Sequence, residues 1–196
     1  MTHMEPKLLS ARGRNLMKMI EFDPEEQLLG EIRKHPFGLF IIFLTGGLVA
    51  LALMLSLMVL PLLVAEDPIG LGLDIGSIRS ILVGVGFLLT ILAIVMTAVA
   101  AYLYQSNIVI ITSEKITQLL YKTIFDRKIS QLSIGDVQDV TINQTGVFAR
   151  IFNYGTLTIE TAGEQENYIF TFTPNPYETG KLIVGSHEEN LKRYGN

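Results

Sequence analysis

The chain has 196 residues and a net charge of −4; 49% of it is hydrophobic, only 17% is charged, and it contains no cysteine. Without cysteine there are no disulfides, thiolate metal sites or thiol nucleophiles. No segment is basic enough for a nucleic-acid surface, and about a quarter of charged residues would be usual for a soluble domain.

Residues 1–36 read as an N-terminal segment. Lys7, Arg12, Arg14 and Lys18 face only Glu5 among the first twenty residues. This predicts a solvated terminus, the alternative being a weak contact with anionic lipid, at about 1 kcal/mol per basic residue. Asp23-Pro24-Glu25-Glu26 follows. Aspartate as cap, proline at the first helical position and glutamate at the third predict a short juxtamembrane helix. Leu28, Leu29 and Ile32 would share one of its faces, and Pro36 would end it.

No charged residue occurs from Phe37 to Ala65, nor from Ser80 to Ser113. A bilayer core about 30 Å thick needs roughly 20 helical residues, so both stretches are long enough to span it. The first lies too far from the start of the chain and is too long for a signal-peptide core. The expected transmembrane hairpin has spans at about 37–60 and 81–104, with Pro61 and Glu66-Asp67-Pro68-Ile69-Gly70 marking the exit and a polar turn. Gly46, Ala50, Gly84, Gly86 and Ala93 would let the helices approach closely. Tyr102 and Tyr104 would sit at headgroup level. The connecting loop carries one basic residue, Arg79, whereas the outer flanks carry Lys18, Arg33, Lys34, Lys115 and Lys122. The excess of basic residues on the flanks predicts a plasma-membrane protein with both termini in the cytoplasm.

Beyond Gln105 the pattern changes to short alternating runs. Strands are predicted at Asn107–Thr112, Ile116–Tyr121, Lys128–Leu132, Val137–Asn143, Thr156–Thr161 and Tyr168–Phe172. Turns fall at Ser113-Glu114-Lys115, Gly135-Asp136 and Ala162-Gly163-Glu164. Asn175-Pro176-Tyr177-Glu178 repeats the cap, proline and glutamate order and predicts a terminal helix with Leu182, Ile183 and Leu191 on its buried side. Residues 106–196 would then be a separate β-rich domain with its own core.

Three pieces of this region, in this order, resemble the bacterial pleckstrin-homology-like (PH-like), membrane-flanked domain family. They are Ile110-Ile111-Thr112-Ser113-Glu114-Lys115-Ile116, Ile134-Gly135-Asp136-Val137-Gln138-Asp139-Val140, and Ala149-Arg150-Ile151-Phe152-Asn153-Tyr154-Gly155-Thr156-Leu157-Thr158-Ile159. Glu25 to Leu29 and Arg33-Lys34-His35-Pro36 are similar to the segment before the first span. The resemblance implies an α+β membrane protein, a two-helix hairpin followed by a PH-like split β-barrel capped by a C-terminal helix. It also implies binding or scaffolding rather than catalysis. Many eukaryotic relatives hold phosphoinositides with basic residues around the first hairpin. Here Thr112–Lys115 offers one lysine beside one glutamate, and residues 106–196 hold eight Lys and Arg against ten Asp and Glu. Specific phosphoinositide binding is not expected.

No group of residues predicts catalysis, a cofactor or a metal site. His3, His35 and His187 are far apart and read as solvated or interfacial. Asp136 and Asp139 sit at a strand entry, where turn formation competes with an acid/base role. The glycines of the second span lack the ending of a phosphate loop, and neither span holds the ionisable residues of an ion pathway. The segment Gly146–Gly155 carries Phe148, Arg150, Phe152 and Tyr154. Aromatics with arginine suit a partner surface; alternatively Phe148, Ile151 and Phe152 plug one end of the barrel. Gly155 is expected to supply a positive-φ turn. The function this supports is a membrane-anchored interaction or scaffold module for a protein partner or a second copy of the chain. An accessory subunit of a transport or secretion assembly is the alternative.

Overall fold

The computed structural model describes residues 9–23, 25–63, 74–161 and 167–195. They fall into two compact units, Leu39–Tyr102 and the combination of Met1–Gly38 with Leu103–Asn196. The first unit is thus inserted in sequence into the second. The β-rich unit is larger than the expected 106–196, because the segment before the first apolar helix belongs to it.

That segment holds helix α1 (Ala11–Met17) and strand β1 (Leu28–Arg33). Around Asp23 the expected cap is half formed: Glu26 N donates to Asp23 O at 3.0 Å, and Asp23 N donates to the Glu26 carboxylate at 3.2 Å. Pro24 lies outside the described residues. From Leu28 the chain is extended rather than helical, because it pairs antiparallel with strand β2 (Ile108–Thr112), Arg33 opposite Ile108 and Gly30 opposite Ile111. A register shift between Leu28 and Gly30 reverses the alternation of faces. Ile32 therefore packs on one core and Leu28 on another. Leucines spaced like one face of a helix here serve two faces of a strand.

Strands β3 (Lys115–Tyr121) and β4 (Arg127–Ser133) complete a sheet of order β1-β2-β3-β4. After a 3-10 turn at Ile134–Asp136, strands β5 (Val137–Asn143), β6 (Tyr154–Thr161) and β7 (Tyr168–Pro174) form a second antiparallel sheet. Residues 162–166, where a turn was expected, lie outside the described residues. Helix α4 (Val147–Ile151) interrupts the β5–β6 connection, and helix α5 (Pro176–Tyr194) closes the unit. Of the side chains expected on the buried side of α5, Ile183 is fully buried while Leu182 is exposed. Asn175 does not cap it with its side chain; it is left-handed (φ 43°), and its amide oxygen accepts from Asn153 Nδ2 at 2.8 Å.

Every residue of β2 is buried, which accounts for its unbroken apolar run: strands covered on both faces lose alternation. Val109 and Ile111 face the core between the sheets, with Leu157, Ile159, Phe170 and Ile183. Ile108 and Ile110 face Leu16 and Ile20, which form a second core with Leu119. Residues 9–20 are therefore a layer of the fold and not a solvated tail. Ser10 fixes it in place. Its backbone N and Oγ both donate to the Glu31 carboxylate of β1 at 2.6 Å, and Oγ accepts from Gly13 N at 3.0 Å.

The long helices are α2 (Pro36–Leu63) and α3 (Ile75–Ser106), each long and apolar enough to cross a membrane by length and composition. Helix α2 continues past Pro61. Helix α3 starts before the expected Ile81, because Asp74 accepts from Ser77 N (2.5 Å) and Ser77 Oγ (3.2 Å) as an N-cap. Residues 64–73, which include the expected polar turn, lie outside the described residues. Within this unit Gly46 meets Thr97 and Gly86 meets Leu57 with no room for a Cβ, whereas Gly84 faces open space.

Candidate interaction surface

Phe37, the second residue of α2, anchors a stack of aromatic rings within the β-rich unit. Its ring lies 5.6 Å from Phe148, 4.8 Å from Phe152 and 5.2 Å from Tyr154, all near parallel. Tyr154 continues onto Phe172 at 5.2 Å, and Phe172 meets Tyr104 edge-on at 5.9 Å. Such pairs contribute about 0.5–1.5 kcal/mol each beyond their buried area. Of the four residues expected to form an interaction surface, three aromatics thus share one stack with Phe37. Phe148 and Phe152 keep about half their surface open, so they do not plug the barrel; Ala149 is the residue of α4 that turns inward. Arg150 is exposed.

The backbone around the stack is held in uncommon conformations. Gly146 (φ 96°) opens α4 and Asn153 (φ 50°) closes it. Gln144 Nε2 braces that corner through Asn153 Oδ1 at 3.1 Å and Tyr154 O at 3.2 Å. Phe172 has φ 56°, a costly state for a bulky side chain. It is compensated by His35 N, which donates to Phe172 O at 2.6 Å, and by the two aromatic contacts. Gly155 is not left-handed, as expected from sequence, but is required by space. A Cβ there would lie 2.9 Å from Asn143 O and 3.1 Å from Pro176 Cγ.

The two ends of the helical hairpin meet in the same place. Tyr104 Oη donates to His35 O at 2.7 Å, and Lys34 Nζ lies 5.2 Å from the Tyr104 ring centroid and donates to Thr171 Oγ1 at 3.2 Å. Burial lowers the pKa of both Lys34 and His35, since desolvation disfavours the charged form. Arg33 and Lys34 border a small cavity of about 90 Å³ between β1–β3 and β7. A larger groove of about 410 Å³ lies between α5 and β5, lined by Val140, Ile142, Tyr177, Gly180 and Val184, with Lys181 and Glu188 also bordering it.

The carboxylates of Asp23, Glu26 and Glu114 come within 4.8 Å of one another. Lys115 Nζ sits 3.0 Å from Glu26, and Tyr194 Oη donates to Glu114 at 3.1 Å. Burial, and then hydrogen bonding and repulsion from Asp23, raise the pKa of Glu114. Asp139, one of the two acids singled out at the strand entry, accepts from Val140 N at 2.8 Å and Thr141 Oγ1 at 3.3 Å within its own strand. His187 Nδ1 donates to Ile134 O at 2.7 Å; His3 lies outside the described residues.

Residues 37–181 match the family described as Bacterial PH domain. This chain belongs to the bacterial PH domain family. The matched segment takes in both apolar helices, β2 to β7 and the start of α5. It omits α1 and β1, which here complete the first sheet and its outer core. A DUF1696 family protein with a pleckstrin-homology domain from Shewanella loihica is a similar solved structure. It is 8% identical, with a TM-score of 0.34, over 41% of this chain and 70% of that one. No curated protein matches the chain. PH-like domains are in general interaction modules rather than catalysts.

Proposed function

We propose that this bacterial PH domain protein is anchored by a two-span hairpin and holds a partner protein at the cytoplasmic face of the membrane. The observation that carries the membrane reading is the side-chain exposure of α2 and α3. Met58, Leu62, Phe87 and Leu88 each show more than half of their surface, along helices that are uncharged from Phe37 through Leu63 and from Ser80 through Ser106. Exposing that much apolar surface to water is disfavoured; hydrocarbon removes the penalty. Both chain crossings, at Gly38/Leu39 and Tyr102/Leu103, return to one folded unit, so the two helix roots share one side of the bilayer. The basic residues of the flanks favour the cytoplasmic side. A reporter fused after Asn196 is expected to read as cytoplasmic and one inserted near Gly70 as external; an external C-terminus would overturn the orientation.

The partner surface favoured by geometry is the outer edge of β5 with the adjacent groove of α5. In the β5-β6-β7 sheet β5 is terminal, so its backbone is available to an extended segment, and the groove offers pockets for alternate side chains. Tyr177→Glu is expected to abolish copurification of the partner from native membranes while leaving thermal stability unchanged. Full recovery would overturn this surface. An accessory-subunit role is the second reading, supported by Gly47 and Gly84, which face open space where other helices would fit. Gly84→Leu would then disrupt the assembly and Tyr177→Glu would not.

A further inference from the structure

We infer that the β-rich unit also rests on the bilayer through two apolar tips, α4 and the β3–β4 turn, which enter the headgroup boundary beside the helix roots. This inference rests on the membrane reading above.

The first tip is α4. Val147, Phe148, Ile151 and Phe152 are 70%, 59%, 66% and 46% exposed, a contiguous apolar face with Arg150 among them. Phe148 and Phe152 stack on Phe37, the first residue of the uncharged run that becomes the span. A side chain in contact with Phe37 lies at the depth at which hydrocarbon begins. Aromatic rings are enriched at that level, and arginine there extends its charge toward the headgroups.

The second tip is located by strand register. Helix α3 ends at Ser106 and β2 begins at Ile108. Asn107, between them, accepts from Tyr121 N through Oδ1 at 2.6 Å, and Tyr121 pairs with Arg127. The β3–β4 turn therefore extends from the end of the sheet where the hairpin leaves it. At its tip Ile124 is 50% and Phe125 98% exposed. The turn is closed by hydrogen bonds, Lys122 N donating to Asp126 O at 3.0 Å and Asp126 N to Thr123 Oγ1 at 3.0 Å. Lys122, Arg127 and Lys128 flank this apolar pair, against Asp126 alone. An apolar tip ringed by cations is suited to the boundary of an anionic leaflet. It needs no headgroup-specific pocket.

The chain has no tryptophan, so single substitutions give unambiguous probes. Leu51→Trp, Phe125→Trp, Phe148→Trp and Tyr194→Trp are made in the full chain and reconstituted into vesicles of zwitterionic and anionic phospholipid. Their emission is then read with lipids brominated near the carbonyl or near the methyl end of the acyl chain. Leu51→Trp, in mid-helix, should lose emission to deep bromine; this tests the membrane reading itself. Phe125→Trp and Phe148→Trp should shift to the blue and lose emission to shallow bromine. Tyr194→Trp, at the far end of α5 beside Glu114 of the β2–β3 turn, should be unaffected. Loss at position 51 with none at 125 and 148 would overturn the inference, leave the anchor standing, and return these tips to a protein partner. No loss at position 51 would overturn both. Equal loss at 194 would overturn the assignment to these two tips.

Discussion

Lys115 Nζ lies 3.0 Å from Glu26 Oε2, a carboxylate whose side chain has no exposed surface. The pair joins the chain just before β1 to the β2–β3 turn, across the whole length of the inserted hairpin. Thr112, itself buried, places its Oγ 2.5 Å from Glu26 Oε1 and accepts from Lys115 N at 3.0 Å. Lys115 also donates to Glu21 O at 2.7 Å. A buried charge that loses its partner costs about 3 kcal/mol or more, whereas replacing both partners by apolar groups is often near neutral. Lys115→Met should therefore destabilise the β-rich unit by about 3 kcal/mol, and Glu26→Leu with Lys115→Met should recover most of it. A loss in the double variant equal to the sum of the Glu26→Leu and Lys115→Met losses, measured by thermal unfolding, would show that the pair is not coupled.

Replacement of residues 39–102 by a short Gly/Ser linker should leave a cooperatively folding unit, because Tyr104 Oη and His35 O already hold the two roots 2.7 Å apart. Residues 106–196 alone should not fold, since they lack β1 and the residues that cover Ile108 and Ile110. Leu16→Ala in the linked form should cost about 2–5 kcal/mol. A stable, monomeric 106–196 fragment would show that β1 and α1 are dispensable.

The parts legible in the sequence were those with local signals. The six later strands, the terminal helix and the two apolar helices each carry their own periodicity, and the observed boundaries lie close to those expected. Strand β1 was not legible: Asp23 to Glu26 reads as a helix start, and only pairing with β2, on the far side of the hairpin, makes Leu28–Arg33 extended. The sequence marks Gly155 as a turn residue, but its backbone is not left-handed. Its constraint is the approach of Asn143 O, a long-range contact with no local signature. The aromatics of Gly146–Gly155 stood out by composition, but their common partner, Phe37, looked like an ordinary residue of the span. Phe125 has no signature in the sequence, because a lone exposed aromatic in a turn has no periodicity to mark it.

The raised pKa of Glu114 gives a pH signature. The folded protein holds that proton to higher pH than the unfolded chain, so stability is lost as pH rises from the ordinary glutamate range, about 4.3, through the raised value. Glu114→Gln keeps an acceptor for Tyr194 Oη and removes the charge facing Asp23. Its melting temperature should exceed the parent's near neutral pH, by an amount worth less than about 1 kcal/mol because the site is partly solvated. The difference should vanish as pH falls below the glutamate range. A gain that persists unchanged at low pH would mean that ionisation of Glu114 is not its source.

Arg150 and Gly155 stand five positions apart and separate surface from fold. Arg150 is exposed on α4 and makes no ion pair among the described residues, so Arg150→Glu should change stability by less than about 0.5 kcal/mol. In anionic vesicles the same change places a negative charge at the headgroups, and the emission loss of Phe148→Trp to shallow bromine should shrink; in purely zwitterionic vesicles it should shrink less. Gly155→Val should act on the fold. Its Cβ would press on Asn143 O at 2.9 Å and on Gln144 Cγ at 3.0 Å, and a backbone oxygen within the β5–β6 pairing, where Asn143 faces Thr156, cannot rotate away as a side chain would. Relief requires parting β5 from β6, the strands that carry Val140, Leu157 and Ile159 into the core. Overpacking of this kind costs about 1–3 kcal/mol, read as a lower melting temperature in the hairpin-replaced unit, whereas Gly155→Ala should fall between Val and the parent. If Arg150→Glu melts as early as Gly155→Val, the arginine is part of the fold and α4 is not a free surface.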